Sequence, residues 1–385
     1  VSEALDRVRA REYSDAGAGI FLNAASWGLV PRSSSEEVAD LSLRRSRAGG
    51  FQEAELGAAL RRCRTALATL LDVPRSEIAL APNTSYGVNL GAALVGTGES
   101  GTVVVSEGEF PANVLPWKSL EPRGFRVEVV PSDSHGLPRE EELLRHVERP
   151  EVRALAVSAV QFSSGYRMEL GRLGEACRRH GVLFVVDAIQ ALGAVPLRPA
   201  ELHVDLLACG GQKWLCAPWG SGFAWVPRRH HHRLAPPMVS WLAVEGALEL
   251  EDEPDYALRW LDDARRYELG TLGIQDYLGL ARSVEILLEC GVDNVRRHLL
   301  DLHEPLVRWI RSRADVQPIT PLDPDRRAGI LSFRPRNLAA AAGALRRIDV
   351  AFAQRGGAIR LAPHFYNTTE EVARVVEALE AGARA

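Results

Sequence analysis

Six short apolar runs recur between residues 78 and 209, alternating with helical segments. They are Ile78–Ala81, Thr102–Ser106, Phe125–Val130, Ala154–Val160, Leu183–Val186 and Val204–Cys209, with a seventh at Gly222–Val226. Runs this short and this continuously apolar suit strands buried on both faces, and the helices between them supply the crossovers of parallel pairing. The expected fold class is therefore α/β: a large domain built on a mostly parallel seven-stranded sheet, with ligands at the carboxyl ends of its strands. Beyond Pro236–Tyr267, a looser stretch with an acidic run Glu249–Glu253, the pattern changes. Helices are expected over Gln275–Cys290, Asn294–Arg313, Leu338–Gln354 and Thr369–Ala381, with short strands at Gly329–Phe333 and Ala358–Leu361. That is a smaller C-terminal α+β domain. The expected division is an N-terminal segment 1–19 packing on the small domain, a large domain 20–270 and a small domain 271–385.

With 46 basic against 50 acidic residues the net charge is −4, which gives no electrostatic footprint for nucleic acid or an acidic membrane. No apolar run reaches the length of a membrane span, and no secretory leader opens the chain. The five cysteines are scattered without a C-x-x-C pair, so a reducing cytoplasm is expected and a disulfide framework is not. The basic run Arg228-Arg229-His230-His231-His232 reads as a solvated surface, since no ligand spacing surrounds it. No metal site is expected. Neither G-x-G-x-x-G nor G-x-x-x-x-G-K-[ST] occurs, so dinucleotide and P-loop readings lack their fingerprints.

The strand ends carry the chemistry. Leu183–Val186 leads into the carboxylate Asp187, with Gln190 three positions on, and Val204–Cys209 leads into Gly210-Gly211-Gln212-Lys213. An acid at one strand end and a lysine just past the next suit pyridoxal phosphate (PLP), which needs an anionic partner for its pyridinium nitrogen and a Schiff-base lysine. A helix-capping Asp187 and a solvated Lys213 is the plainer alternative. Pro82-Asn83-Thr84-Ser85 enters a helix with hydroxyls and free N–H groups, a setting for a phosphate or for simple capping by Asn83 or Thr84. Phe110 follows the Thr102 strand and either stacks on a planar ring or fills the core. Ala24-Ala25-Ser26-Trp27-Gly28 is a small-residue turn where a ligand would approach backbone closely.

Taken together, Asp187-x-x-Gln190, Lys213, the Phe21-Leu22-Asn23-Ala24-Ala25 start and Arg360-x-x-Pro-His-Phe-Tyr-Asn367 resemble the class V aminotransferase family of fold type I PLP enzymes. That superfamily holds cysteine desulfurases, selenocysteine lyases and isopenicillin N epimerase-like proteins. The resemblance implies that Lys213 carries the cofactor and shuttles the α-proton. Asp187 would keep the ring nitrogen protonated and Gln190 would meet the phenolic oxygen. It implies further that Thr84, Ser85 and Gln212 hold the phosphate and that Phe110 stacks on the ring. Arg360 would fork onto the substrate α-carboxylate, and Ala24-Ala25 would line the pocket. Gly270-Thr271 would reach a neighbour's phosphate in a homodimer with shared active sites.

Three departures stand out. Many relatives have Ser-x-His-Lys where this chain has Gly210-Gly211-Gln212-Lys213. Ala159 stands where desulfurases often carry Asn, leaving Gln161 and Ser163 as substitutes. The last cysteine, Cys290, lies within an expected helix rather than on a loop suited to a persulfide. The expected function is a PLP-dependent carbon–sulfur (β-elimination) lyase acting on a cysteine-type amino acid without a persulfide cysteine. The alternative is an aminotransferase or epimerase of the same family. A member kept only for interaction is disfavoured, because every core cofactor position holds a competent residue.

Overall fold

The computed structural model describes residues 3–14, 17, 19–246 and 257–384; the acidic run Glu249–Glu253 lies outside the described residues. Seven strands form one sheet, in spatial order Ile78–Ala81, Gly222–Trp225, Leu206–Gly210, Leu183–Asp187, Val152–Ser158, Thr102–Ser106 and Arg126–Val130. Gly222–Trp225 runs antiparallel to both neighbours, and the other pairings are parallel. Ile78–Ala81, Thr102–Ser106, Leu206–Gly210 and Gly222–Trp225 are buried at every residue, because helices cover both faces of the sheet. The edge strand Arg126–Val130 instead exposes Arg126 and Val129 and keeps Glu128 half-buried, a polar edge that discourages further pairing.

Helix Thr84–Val95 crosses this sheet at close range. A Cβ on Gly87 would fall 2.6 Å from the Ala208 Cβ, so only glycine lets the helix lie this low. The close approach brings the helix start level with the end of Leu206–Gly210.

A second, four-stranded antiparallel sheet runs Ala353–Arg355, Ala358–Leu361, Leu331–Pro335, Val316–Pro318. Helices Leu338–Arg347 and Thr369–Arg384 pack on one another beside it. The start of the last helix is a reciprocal cap: Glu371 accepts from the Thr368 N–H at 2.8 Å, and the Glu371 N–H donates to the Thr368 hydroxyl at 3.2 Å.

Two expectations need correction. The helix expected over Leu338–Gln354 ends at Arg347, where the chain turns through Asp349 in a left-handed conformation (φ 55°). Val350–Ala351 then pairs in parallel with Ile20–Phe21, and Ala353–Arg355 pairs with Ala358–Leu361. Tertiary pairing overrides the local helical pattern there. The basic run at 228–232 is not simply solvated either. His230 and His231 are buried, the first on the Asp205 carboxylate at 2.7 Å and the second on the Val226 carbonyl at 2.9 Å. Among the described residues no helix is long and apolar enough to cross a membrane.

Candidate active site

Asp187 is the last residue of its strand, in register with Ser158 on one side and Ala208 on the other. It is buried, and one carboxylate oxygen accepts the Ile189 N–H at 2.9 Å. No described residue donates to the other. Burial pushes its pKa up to about 6, against the opposing pull of the Ile189 N–H and the nearby Lys213 charge.

Lys213 sits three residues past the next strand end. Its ammonium has no hydrogen-bond or ion-pair partner among the described residues and stands 5.8 Å from the centre of the Phe110 ring. Burial lowers its pKa to about 8; Asp187 works against this, and the Arg360 charge adds to it. The loop is fixed through its backbone. Gly28 N–H donates to the Gln212 carbonyl at 2.9 Å, and Cys216 N–H to the Lys213 carbonyl at 3.0 Å. A Cβ on Gly28 would fall 2.2 Å from the Lys213 carbonyl oxygen, so the close approach in the Ala24–Gly28 turn is to this loop.

The helix-start residues converge on the same place. Gly210 N–H donates to the Thr84 hydroxyl at 2.9 Å across 126 residues of sequence. Asn83 caps the helix, accepting from Tyr86 N–H at 3.0 Å, which leaves the hydroxyl of exposed Ser85 uncommitted. The first-turn N–H groups and the positive end of the helix dipole thus face the strand end that leads to Lys213. The Gln212 side chain folds back over Gly210, where a Cβ would meet its amide oxygen at 2.5 Å. Gly at 210 and Gln at 212 therefore form one arrangement, and a serine at 210 would displace the amide.

Gln190 is buried, its amide nitrogen donating to the Ala25 carbonyl at 3.0 Å and its oxygen accepting from the Trp214 indole at 2.8 Å. One N–H of the amide remains. Ala24 and Ala25 are buried; Ala24 N–H pairs with the Ala362 carbonyl at 3.0 Å, tying this turn to the small sheet. Arg360 is 2 % exposed, its two terminal nitrogens donating to the Phe162 carbonyl at 2.7 Å and the Ser26 hydroxyl at 2.8 Å. Its Nε is buried without a partner, and burial pushes the guanidinium down to about 10. A guanidinium held but not saturated can fork onto a carboxylate.

Phe110 is 47 % exposed and meets Phe162 edge-to-face at 5.2 Å, so it is not a core phenylalanine. Gly270 donates to the Ser240 hydroxyl at 2.7 Å and stands against Trp241 and Leu242 rather than the Lys213 group; Thr271 is exposed.

Glu109 is the residue that sequence reasoning missed. It is buried, and it accepts from Ser158 N–H at 2.8 Å, Gln161 at 2.9 Å, Asn113 at 3.0 Å and the Ser158 hydroxyl. Burial raises its pKa to about 7, and the Asp187 charge adds to the rise. Through Gln161 and Ser158 it braces the loop and strand beside Asp187. An acid one residue before the exposed Phe110 was the available signal.

A buried acid with one oxygen that no described residue donates to, a lysine with a depressed pKa, a hydroxyl-bearing helix start and an unsaturated arginine fit a pyridine cofactor with a phosphate and an amino-acid carboxylate. The comparisons agree. The model of the family Aminotransferase class-V matches residues 35–375. The chain belongs to that family and is a PLP-dependent enzyme of fold type I. An isopenicillin N epimerase of Amycolatopsis lactamdurans is 32% identical over 384 residues, covering 93% of this chain and 94% of the relative. Two solved structures share the fold. A cysteine desulfurase of Thermococcus onnurineus superposes with a TM-score of 0.86 at 22% identity, covering 99% of this chain and 98% of that one. The cystine C–S lyase C-DES, solved with its product cysteine persulfide, gives 0.85 at 21% identity, with 96% and 99% covered.

Proposed function

We propose that the protein is a carbon–sulfur lyase that takes a cysteine-type amino acid, removes its Cα proton and expels the sulfur substituent from Cβ as a thiol. The observation that carries this reading is the state of the cysteines. All five are buried, and burial raises each thiol pKa, so none is placed to receive sulfur as a persulfide. Direct release of a thiol requires no such group, and C-DES shows that this fold can host C–S cleavage.

Bound PLP supplies an electron sink for the charge that develops at Cα. The chain does the rest. Arg360 orients the α-carboxylate, and Asp187 keeps positive charge on the ring nitrogen. Lys213 would hold the cofactor and, as general base, would take the Cα proton. The electron pair of the Cα–H bond becomes the Cα–Cβ double bond as the Cβ–S bond breaks, and the thiolate leaves with a proton. Thr84, Ser85 and Gln212 would hold the phosphate, Gln190 would meet the phenolic oxygen, Phe110 would cover the ring, and Ala24 and Ala25 would line the pocket. The working unit is a cytoplasmic homodimer in which Gly270 and Thr271 reach the partner's phosphate. The domain division follows 1–19, 20–270 and 271–385.

Incubation of the holoenzyme with S-substituted cysteines should release the thiol together with pyruvate. Neither product from any of them would sink the lyase reading. Transamination or epimerisation is the second reading, favoured by the 32% identical isopenicillin N epimerase; conversion of the bound cofactor to its amine form, with keto acid released, would select transamination.

A further inference from the structure

Arg355 and Arg360 lie on adjacent antiparallel strands, Ala353–Arg355 at the sheet edge and Ala358–Leu361 beside it. The register sets Ala353 opposite Arg360 and Arg355 opposite Ala358. Opposed residues share a face, as do alternate residues along one strand. Both arginines therefore project from one face as diagonal neighbours, about 7–8 Å apart. That face looks into the candidate active site. Arg360 grips the Phe162 carbonyl and the Ser26 hydroxyl, and Ser332, in register with Arg360 on its other side, donates to the Ser163 carbonyl at 2.7 Å.

The two arginines differ in their commitments. Arg360 is buried and held at both terminal nitrogens. Arg355 is exposed and has no hydrogen-bond, ion-pair or ring partner among the described residues. Arg334, on the next strand, is by contrast spent on Gln317 at 3.2 Å and the Gly356 carbonyl at 3.1 Å. The positive charges of both Arg355 and Arg360 are felt at Lys213. Like charges placed diagonally on one sheet face repel unless an anion lies between or beside them. One α-carboxylate occupies one guanidinium and leaves the second open.

Resting on the reading of this pocket as an amino-acid site, we propose that Arg355 is a specificity-determining residue that takes a second carboxylate, carried on the far end of the substrate side chain, while Arg360 takes the α-carboxylate. The preferred substrate is then a cysteine whose sulfur substituent ends in a carboxylate.

S-Carboxymethylcysteine and S-carbamoylmethylcysteine differ only in carboxylate against carboxamide, and titrating the holoenzyme with each while following cofactor absorbance gives two apparent dissociation constants. Wild type should bind the carboxylate form roughly tenfold tighter, as expected for a charged hydrogen-bonded contact. Arg355→Gln should lose that preference while keeping its affinity for the amide. Equal binding of both ligands by wild type overturns the proposal, and so does a preference that survives Arg355→Gln. A variant that weakens both ligands equally also overturns it, since that marks a role at the α-carboxylate. So does the absence of any absorbance change with either ligand. Preferential binding without thiol release would sink the elimination reading and leave the assignment of Arg355 standing.

Discussion

Ser158 lies in register opposite Asp187 on the adjacent parallel strand, and both its N–H and its hydroxyl are given to Glu109. The strand end beside Asp187 is thus braced by a second buried carboxylate. The Asp187 charge adds to the cost of ionising buried Glu109. The fold accepts that cost at the strand end where Asp187 is proposed to meet the cofactor's ring nitrogen.

Asp187→Asn should therefore stabilise the apoprotein at pH 7. The native pKa of about 6 lies above the ordinary 3.8, so above pH 6 folding carries the cost of a buried ion. A rise of that size corresponds to about 3 kcal/mol as an upper bound. That cost fades as pH falls through 6 and is gone below the ordinary 3.8, where folded and unfolded chains are both protonated. Urea denaturation of both apoproteins should show a gain of about 1–3 kcal/mol at pH 7. The gain should vanish below about pH 4, while the variant's turnover collapses.

Capture of PLP by the apoprotein should accelerate as pH rises through about 8, where Lys213 loses its proton, well below the usual lysine range. Only the neutral amine attacks the aldehyde. Because the Asp187 charge raises the Lys213 pKa, Asp187→Asn should move the midpoint to lower pH. Stopped-flow absorbance over a pH series measures it, and a midpoint near 10.5 would contradict the burial argument.

Cys290→Ala should leave thiol release within about twofold of wild type, since a group remote from the reacting atoms contributes little to the chemical step. The thiol is fully buried, pushed up to about 12 chiefly by burial, and sits at the end of helix Ile274–Cys290. A rate loss of two orders of magnitude, with labelled sulfur retained on the wild-type chain, would reinstate a persulfide route.

Arg64→Ala should destabilise the fold by roughly 3–5 kcal/mol in equilibrium unfolding. Arg64 and Glu268 form a buried two-point pair, with Arg64 Nε on a Glu268 oxygen at 2.8 Å, and that oxygen also accepts the Leu80 N–H at 2.9 Å. Removing the cation strands a buried carboxylate whose pKa burial already raises. Glu268→Gln in the same background should recover part of the loss.

Much of this site could be read from the sequence because parallel strands end where ligands bind. Asp187, Gln190 and Lys213 follow such ends directly, and Thr84 opens the helix after another. Arg360 came instead from the resemblance of its flanking residues. What escaped has a physical reason in each case. Glu109 looked like part of a polar turn, and only the fold reveals that Ser158, Gln161 and Asn113 close around it. Arg355 was hidden because the alanine-rich run from Leu338 carries a helical pattern past Arg347, whereas pairing with Ala358–Leu361 makes the segment a strand. The buried histidines 230 and 231 depend on acceptors at Asp205 and Val226 that no local pattern announces.

The parallel pairing of Ile20–Phe21 with Val350–Ala351, and the bridge from Asn23 to Ala362, tie together segments far apart in sequence. Ser26, which follows this seam, accepts from Arg360 across 334 residues of sequence, so the candidate site closes only when these two distant segments meet.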